Sequence, residues 1–153
     1  YRSLAGSQRF YNKHNKCAHC EVIHWEKKKQ VRVIAENKKF IAYAPYASHF
    51  NYEVRIYPKH HSARFETIAT DDRPLLAEIL ISVLRSQKRA LKNSDYNYFI
   101  NTAPIHEKKA EHYHWHLEIL PKTATLAGLE LGTGMEVISV SPEAAAELLR
   151  SKL

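Results

Sequence analysis

The segment His112-Tyr113-His114-Trp115-His116-Leu117-Glu118-Ile119 constrains the fold more than any other stretch of the chain. Its polar and apolar residues alternate, and in an extended strand successive side chains point to opposite faces. His112, His114, His116 and Glu118 then share one face, while Tyr113, Trp115, Leu117 and Ile119 share the other. The apolar set can pack on a core. The polar set becomes a row in which residues two apart can serve a common ligand. Three histidines at alternate positions are a poor choice for a merely structural strand, so the row reads as functional.

The rest of the chain supplies partners for that strand. Residues 31–35, 40–44 and 52–57 are rich in β-branched and aromatic side chains. They are separated by turn-like Glu36-Asn37-Lys38 and by a turn over 45–51, which predicts antiparallel strands rather than crossovers. Asp71 to Pro74 carries a helix-start signal, an acidic cap followed by a first-turn proline. The helix is expected over 74–92, with Leu76, Leu80, Val83, Leu84 and Leu91 as its apolar stripe. Residues 96–102 and 113–120 read as two more strands, the second ending at Pro121. Gly128, Gly132 and Gly134 mark a loop, 137–140 a short strand and 142–149 a terminal helix. Residues 1–16 are expected to form an arm leading into a CxxC turn. The sum is one α+β domain over 1–153: an antiparallel sheet with one long helix packed on it and a short C-terminal helix. A hydrophobic content of 44% is enough for a single core at this length.

No run of about eighteen uncharged apolar residues occurs, and the N-terminus lacks the apolar stretch of a signal peptide. A soluble, cytoplasmic protein is therefore expected, with no membrane partner. A formal net charge of +7 admits nucleotides, sugar phosphates and nucleic acids. Nucleic acid is not expected, because neither glycine-flanked aromatic motifs nor zinc-finger spacing accompany the charge. The Lys27-Lys28-Lys29 run and the Lys108-Lys109 pair read as solvated turns.

Cys17 and Cys20 form a CxxC, a spacing that presents two thiolates to one ion. The surroundings do not resemble the strand-to-helix junction of a redox CxxC. Zinc is the expected metal, and histidines must complete its four ligands. The candidates are His61 or His60 together with one member of the 112/114/116 row, with His19 and His24 ranked behind them.

These pieces, in order, resemble the histidine-triad superfamily, and within it the galactose-1-phosphate uridylyltransferase branch. The resemblance runs from Cys17-Ala18-His19-Cys20-Glu21 through Tyr57-Pro58-Lys59-His60-His61-Ser62-Ala63-Arg64-Phe65 and Tyr96-Asn97-Tyr98. It continues through His114-Trp115-His116-Leu117-Glu118-Ile119 and Pro121 to Gly128-Leu129-Glu130 and Pro142-Glu143. Taken literally, the triad pattern fits His112, His114 and His116, with His114 as nucleophile. In the family, however, a proline falls five residues beyond the nucleophile, and Pro121 is five beyond His116. That register makes His114 the first histidine, His116 the nucleophile and Glu118 the third member.

The resemblance further implies a structural zinc held by Cys17, Cys20, His61 and His114, with His61 preferred to His60 by its interval to Phe65. It implies nucleotidyl transfer between a nucleotide sugar and a sugar phosphate through a nucleotidyl-histidine intermediate, catalysed by His116 and Glu118. Asn101 falls where a substrate contact is expected. Active relatives carry glutamine or histidine in the third place, so Glu118 is a departure: an ionised carboxylate repels phosphate. Uridylyltransferases of this branch hold two repeats in one chain, and the features after Pro121 resemble the second. Three functions therefore stand: a transferase, a histidine-triad hydrolase, and a catalytically silent zinc-binding repeat of a longer transferase. A homodimer or a partner repeat is expected.

Overall fold

The computed structural model describes residues 2–107, 109–125 and 127–153. Tyr1, Lys108 and Leu126 lie outside the described residues, so only Lys109 of the Lys108-Lys109 pair is seen, and it is exposed. The strands are β1 (Val33–Glu36), β2 (Phe40–Tyr43), β3 (Val54–Pro58), β4 (Tyr96–Asn101) and β5 (His116–Pro121). They form one antiparallel sheet in the order β1-β2-β3-β5-β4. The helices are α1 (Arg2–His14), α2 (Ala18–Lys29), α3 (Arg73–Ala90), α4 (Gly128–Thr133) and α5 (Pro142–Arg150). This is the expected α+β sheet with its long helix and short C-terminal helix.

Local chemistry sets the limits of the strands. The β1–β2 turn closes on Asn37, whose Oδ1 accepts from the Lys39 and Phe40 amides at 3.1 and 2.9 Å. Such side-chain capping is why asparagine suits tight turns. The expected start of β1 at residue 31 is corrected to Val33. The carbonyls of Gln30 and Val31 accept from the Arg150 guanidinium at 3.0 and 3.2 Å instead of joining a ladder. The run expected from residue 52 begins at Val54, because Tyr52 takes a left-handed φ of 61°.

Alternation sorts the sheet into two faces. Ala42, Ile56 and Leu117 pair across β2, β3 and β5 and point into the main core with Phe40, Val54, Trp115 and Ile119. That core is closed by α3 and α5. Trp115 is edge-on to Phe65 at 5.1 Å, and burying each large side chain of this kind contributes about 1.5–3 kcal/mol. On α3, Ile79 and Val83 are the buried apolar residues, with Leu76, Leu80 and Leu84 packed partly buried beside them. The acidic cap expected within Asp71 to Pro74 does not form: Asp72, the cap residue of α3, makes no side-chain cap hydrogen bond and pairs with Lys39 at 3.2 Å. At α5 the expected first-turn proline is accompanied by a cap, Ser141 Oγ accepting from the Ala144 amide.

The opposite face carries Val33, Ile41, Tyr43 and Tyr57, and Ile23 of α2 packs onto them. Leu4 of α1 packs on a neighbouring cluster of Ala103, Ala110 and Tyr113. The segment expected as an arm is thus a helix, and α1 and α2 form a third layer. The Lys27-Lys28-Lys29 run is the exposed last turn of α2, where cations suit the helix dipole.

Two further expectations fail. The glycine-marked loop contains α4, whose first turn is held by Glu130 accepting from the Ala127 amide at 3.0 Å, with Gly134 closing it at φ 68°. No strand forms over 137–140, because the Ser139 and Val140 amides donate to Asn51 Oδ1 at 3.0 and 3.2 Å. Among the described residues no helix is long and apolar enough to cross a membrane.

Candidate metal centre and triad histidine

The helical start at Ala18 decides how the CxxC presents its sulfurs. Cys17 is the cap residue of α2 and Cys20 lies one turn on, so both face the same side at the positive end of the helix. His61 follows β3 and His114 precedes β5, and the two meet the cysteines. One ligand atom from each of Cys17, Cys20, His61 and His114 lies within 4.8 Å of the others. Cys20 Sγ is 3.3 Å from His61 Nδ1 and 3.4 Å from His114 Nδ1. A tetrahedral zinc with bonds of about 2.0–2.3 Å has ligand edges of roughly 3.3–3.8 Å, so the donor set fits the ion in type and size.

The protonation pattern prepares these groups for a cation. The Cys17 thiol is pulled down, first by the hydrogen bond from Cys20 and then, against burial, by His114 and His61. Cys20 is pushed up by that same bond and by burial, so the pair shares one proton. Burial lowers His114, with the Cys17 hydrogen bond opposing. His114 Nε2 donates to the Pro58 carbonyl at 3.0 Å, which leaves Nδ1 free to bind. A ring held this way is the usual second support of a zinc histidine. The alternatives weighed from sequence, His60 and His24, are exposed and outside this group.

The row of three histidines is not one row. His112 sits in a turn, buried and 3.6 Å from Glu107, because the strand starts only at His116. The Trp115 amide bonds the Ser62 carbonyl rather than a ladder neighbour. Tyr113, expected on the core face, instead packs its ring against His19 and His116.

His116 lies on the face covered by α2. It is 1% exposed, stacked on Tyr57 with ring centroids 4.7 Å apart and 5.2 Å from the His19 ring. Its Nδ1 donates to the His114 carbonyl at 3.1 Å. Its Nε2 lies 3.1 Å from Glu118 Oε1 and 3.2 Å from Asn101 Nδ2. The three residues named from sequence as catalytic or substrate-binding, His116, Glu118 and Asn101, are therefore neighbours.

Glu118 belongs to a chain of charges. Its carboxylate is 3.1 Å from Arg55, and Arg55 is 2.8 Å from Glu53, which accepts the His49 amide at 2.7 Å. Burial pushes the Glu118 carboxyl up, but the His116 hydrogen bond and the Arg55 guanidinium outweigh it and hold it low. His19, ranked from sequence as a lesser zinc ligand, instead bridges Ser7 and Tyr57 at 3.2 Å each. Burial first, and then His116, lower it to about 3, so it is neutral. Arg55 and Glu53 were missed in the sequence. Their signal was the alternation of Glu53, Arg55 and Tyr57 opposite Val54 and Ile56.

The HIT domain model matches residues 26–124. The chain is 32% identical over 149 residues to an ADP-glucose phosphorylase of Arabidopsis thaliana, covering 96% of this chain and 41% of that protein. It is 30% identical over 156 residues to a galactose-1-phosphate uridylyltransferase of Thermotoga maritima, covering 96% and 48%. A solved uridylyltransferase superposes with a TM-score of 0.88 at 27% identity, covering 99% of this chain and 49% of the other. The chain thus spans less than half the length of these two curated relatives. With a sheet, a triad segment and a matched model that agree, the chain belongs to the HIT-domain family, among relatives named as galactose-1-phosphate uridylyltransferases and an ADP-glucose phosphorylase.

Proposed function

We propose that this chain is a zinc-bound histidine-triad repeat serving nucleotidyl transfer of the hexose-1-phosphate uridylyltransferase type, and that its own His116 is held out of the chemistry. In that reaction a nucleoside monophosphate passes between sugar phosphates. The observation that carries this reading is the contact of His116 Nε2 with Glu118. Attack on phosphorus needs a free imidazole lone pair in line at about 3–3.5 Å. Here a carboxylate occupies that direction, Arg55 anchors it, and α2 covers the face. A phosphate brought to Nε2 meets the charge of Glu118, and the donor nearest to it, Asn101 Nδ2, is engaged with His116 at 3.2 Å. Asn101 then serves as a support for His116 rather than as a substrate contact.

Cys17, Cys20, His61 and His114 would hold the zinc. With four protein ligands its role is structural, tying α2 to β3 and β5. The edge strand β4, with Tyr96, Tyr98 and Phe99 exposed, offers a partner repeat or a second copy a place to add.

A second reading keeps His116 as nucleophile. It draws on the Nδ1 bond to the His114 carbonyl, which presents Nε2 as the reacting nitrogen. Incubation with UDP-glucose and ADP-glucose, followed by intact-mass analysis, separates the two. The expected result is unlabelled protein. A nucleotide on His116, lost in His116→Ala, overturns the proposal, and products formed with and without hexose phosphate then distinguish transferase from hydrolase.

A further inference from the structure

The triad face is roofed by α1 and α2, which among the described residues are held at a small set of contacts. Apart from Cys17, His19 and Cys20, the described contacts of α2 with the sheet side are Ile23, packed on Val33, Ile41, Tyr43 and Tyr57, and Glu26, paired with Arg32 at 2.6 Å. His19, between the two cysteines in the chain, lies against His116 and hydrogen-bonds the Tyr57 hydroxyl at 3.2 Å. Helix α1 adds Leu4, the Ser7–His19 bond and an exposed Tyr11–Glu111 bond. The other side of the sheet rests on the much larger core under α3 and α5.

Two of the four metal ligands are on the roof and two on the sheet. We infer that metal at Cys17, Cys20, His61 and His114 is the latch that keeps α1 and α2 closed over His116, and that its loss opens this roof while the α3 and α5 side stays folded. The inference rests on the zinc reading given above and extends it from a static support to a conformational control. Closure and metal binding are linked: a latch that favours the closed roof must bind metal more tightly when the roof is closed, by the same factor.

The test uses the full chain. Zinc content is measured first, and one zinc per chain is expected. Hydrogen exchange and diethylpyrocarbonate labelling are then compared for zinc-loaded and chelated protein under reducing conditions. Chelation is expected to speed amide exchange over residues 2–29 at least tenfold and to bring His19 and His116 into reach of the reagent, with exchange over 73–90 changed less than twofold. Absence of zinc sinks both the zinc reading and the latch. Zinc with unchanged exchange over 2–29, or with equal acceleration of 2–29 and 73–90, leaves the zinc reading standing and overturns the latch.

Should chelated protein precipitate, the affinity of zinc for an Arg32→Met variant decides the matter. Arg32 touches no ligand but anchors the far end of α2. Roughly tenfold weaker zinc binding is expected, and unchanged affinity overturns the inference.

Discussion

Nε2 of His116 and Nε of Arg55 each lie 3.1 Å from one oxygen of Glu118. The carboxylate is therefore held between a histidine and a guanidinium, at a place where a nucleotidyl-transfer site needs room for phosphate. Because the folded Glu118 carboxyl sits lower than in the unfolded chain, its charge stabilises the fold above the usual carboxylate range. That contribution disappears as the pH falls through the folded value. Wild type should exceed Glu118→Gln by about 1–2 kcal/mol at neutral pH. The gap should close on acidification below about pH 4. Urea denaturation across that range measures it, and a gap independent of pH contradicts the assignment.

Cys20→Ser removes a sulfur from a cluster that joins α2 to the ends of two strands. Zinc content should fall well below one per chain, and the loss of about 3–5 kcal/mol should lower Tm by roughly 6–20 °C. Metal analysis and calorimetry check both. A His60→Ala variant, altered at an exposed residue outside the cluster, should retain full zinc content.

Arg32 is buried between Glu26, at 2.6 Å, and Glu143, at 2.7 Å. Burial raises the Glu26 carboxyl while Arg32 opposes that rise. Arg32→Met strands a buried carboxylate and should cost about 3–5 kcal/mol, whereas Arg32→Met combined with Glu26→Leu should recover most of it. Denaturation of the single and double variants tests the coupling, and strict additivity counts against it.

Asn51 holds residues 139 and 140 with one side chain, donating to Ser139 Oγ as well as accepting two amides. Asn51→Ala should cost about 1–2 kcal/mol. Faster amide exchange should appear at 139–140, with the α3 core unaffected.

Legibility in the sequence followed the range of the interactions involved. Helix α3 could be read because its period arises from one apolar face, and the strands because runs of β-branched and aromatic residues are separated by turn residues. Helices α1 and α2 could not. The inward-facing residues of this pair include Ser7, Cys17 and Glu26, which are buried, and half-buried His19, all held by hydrogen bonds, thiolate contacts and an ion pair rather than by hydrophobicity. The division between His114 and His116 came from the register to Pro121, a local feature. The anchoring of Glu118 could not be read, because the Arg55–Glu118 cross-strand pair joins positions far apart in the chain. The three-histidine row misled because alternation assumes an unbroken strand, and the Ser62 carbonyl takes the Trp115 amide before the ladder begins.

The separation of His114 from His116 is most directly read at the metal. Zinc-edge X-ray absorption on the full chain should show two sulfurs at about 2.3 Å and two nitrogens at about 2.0–2.1 Å. That shell should survive His116→Ala and lose a nitrogen in His114→Ala. A nitrogen lost from the His116→Ala shell, or a zinc without sulfur ligands, would contradict the assignment of one histidine to the metal and the other to the Glu118 network.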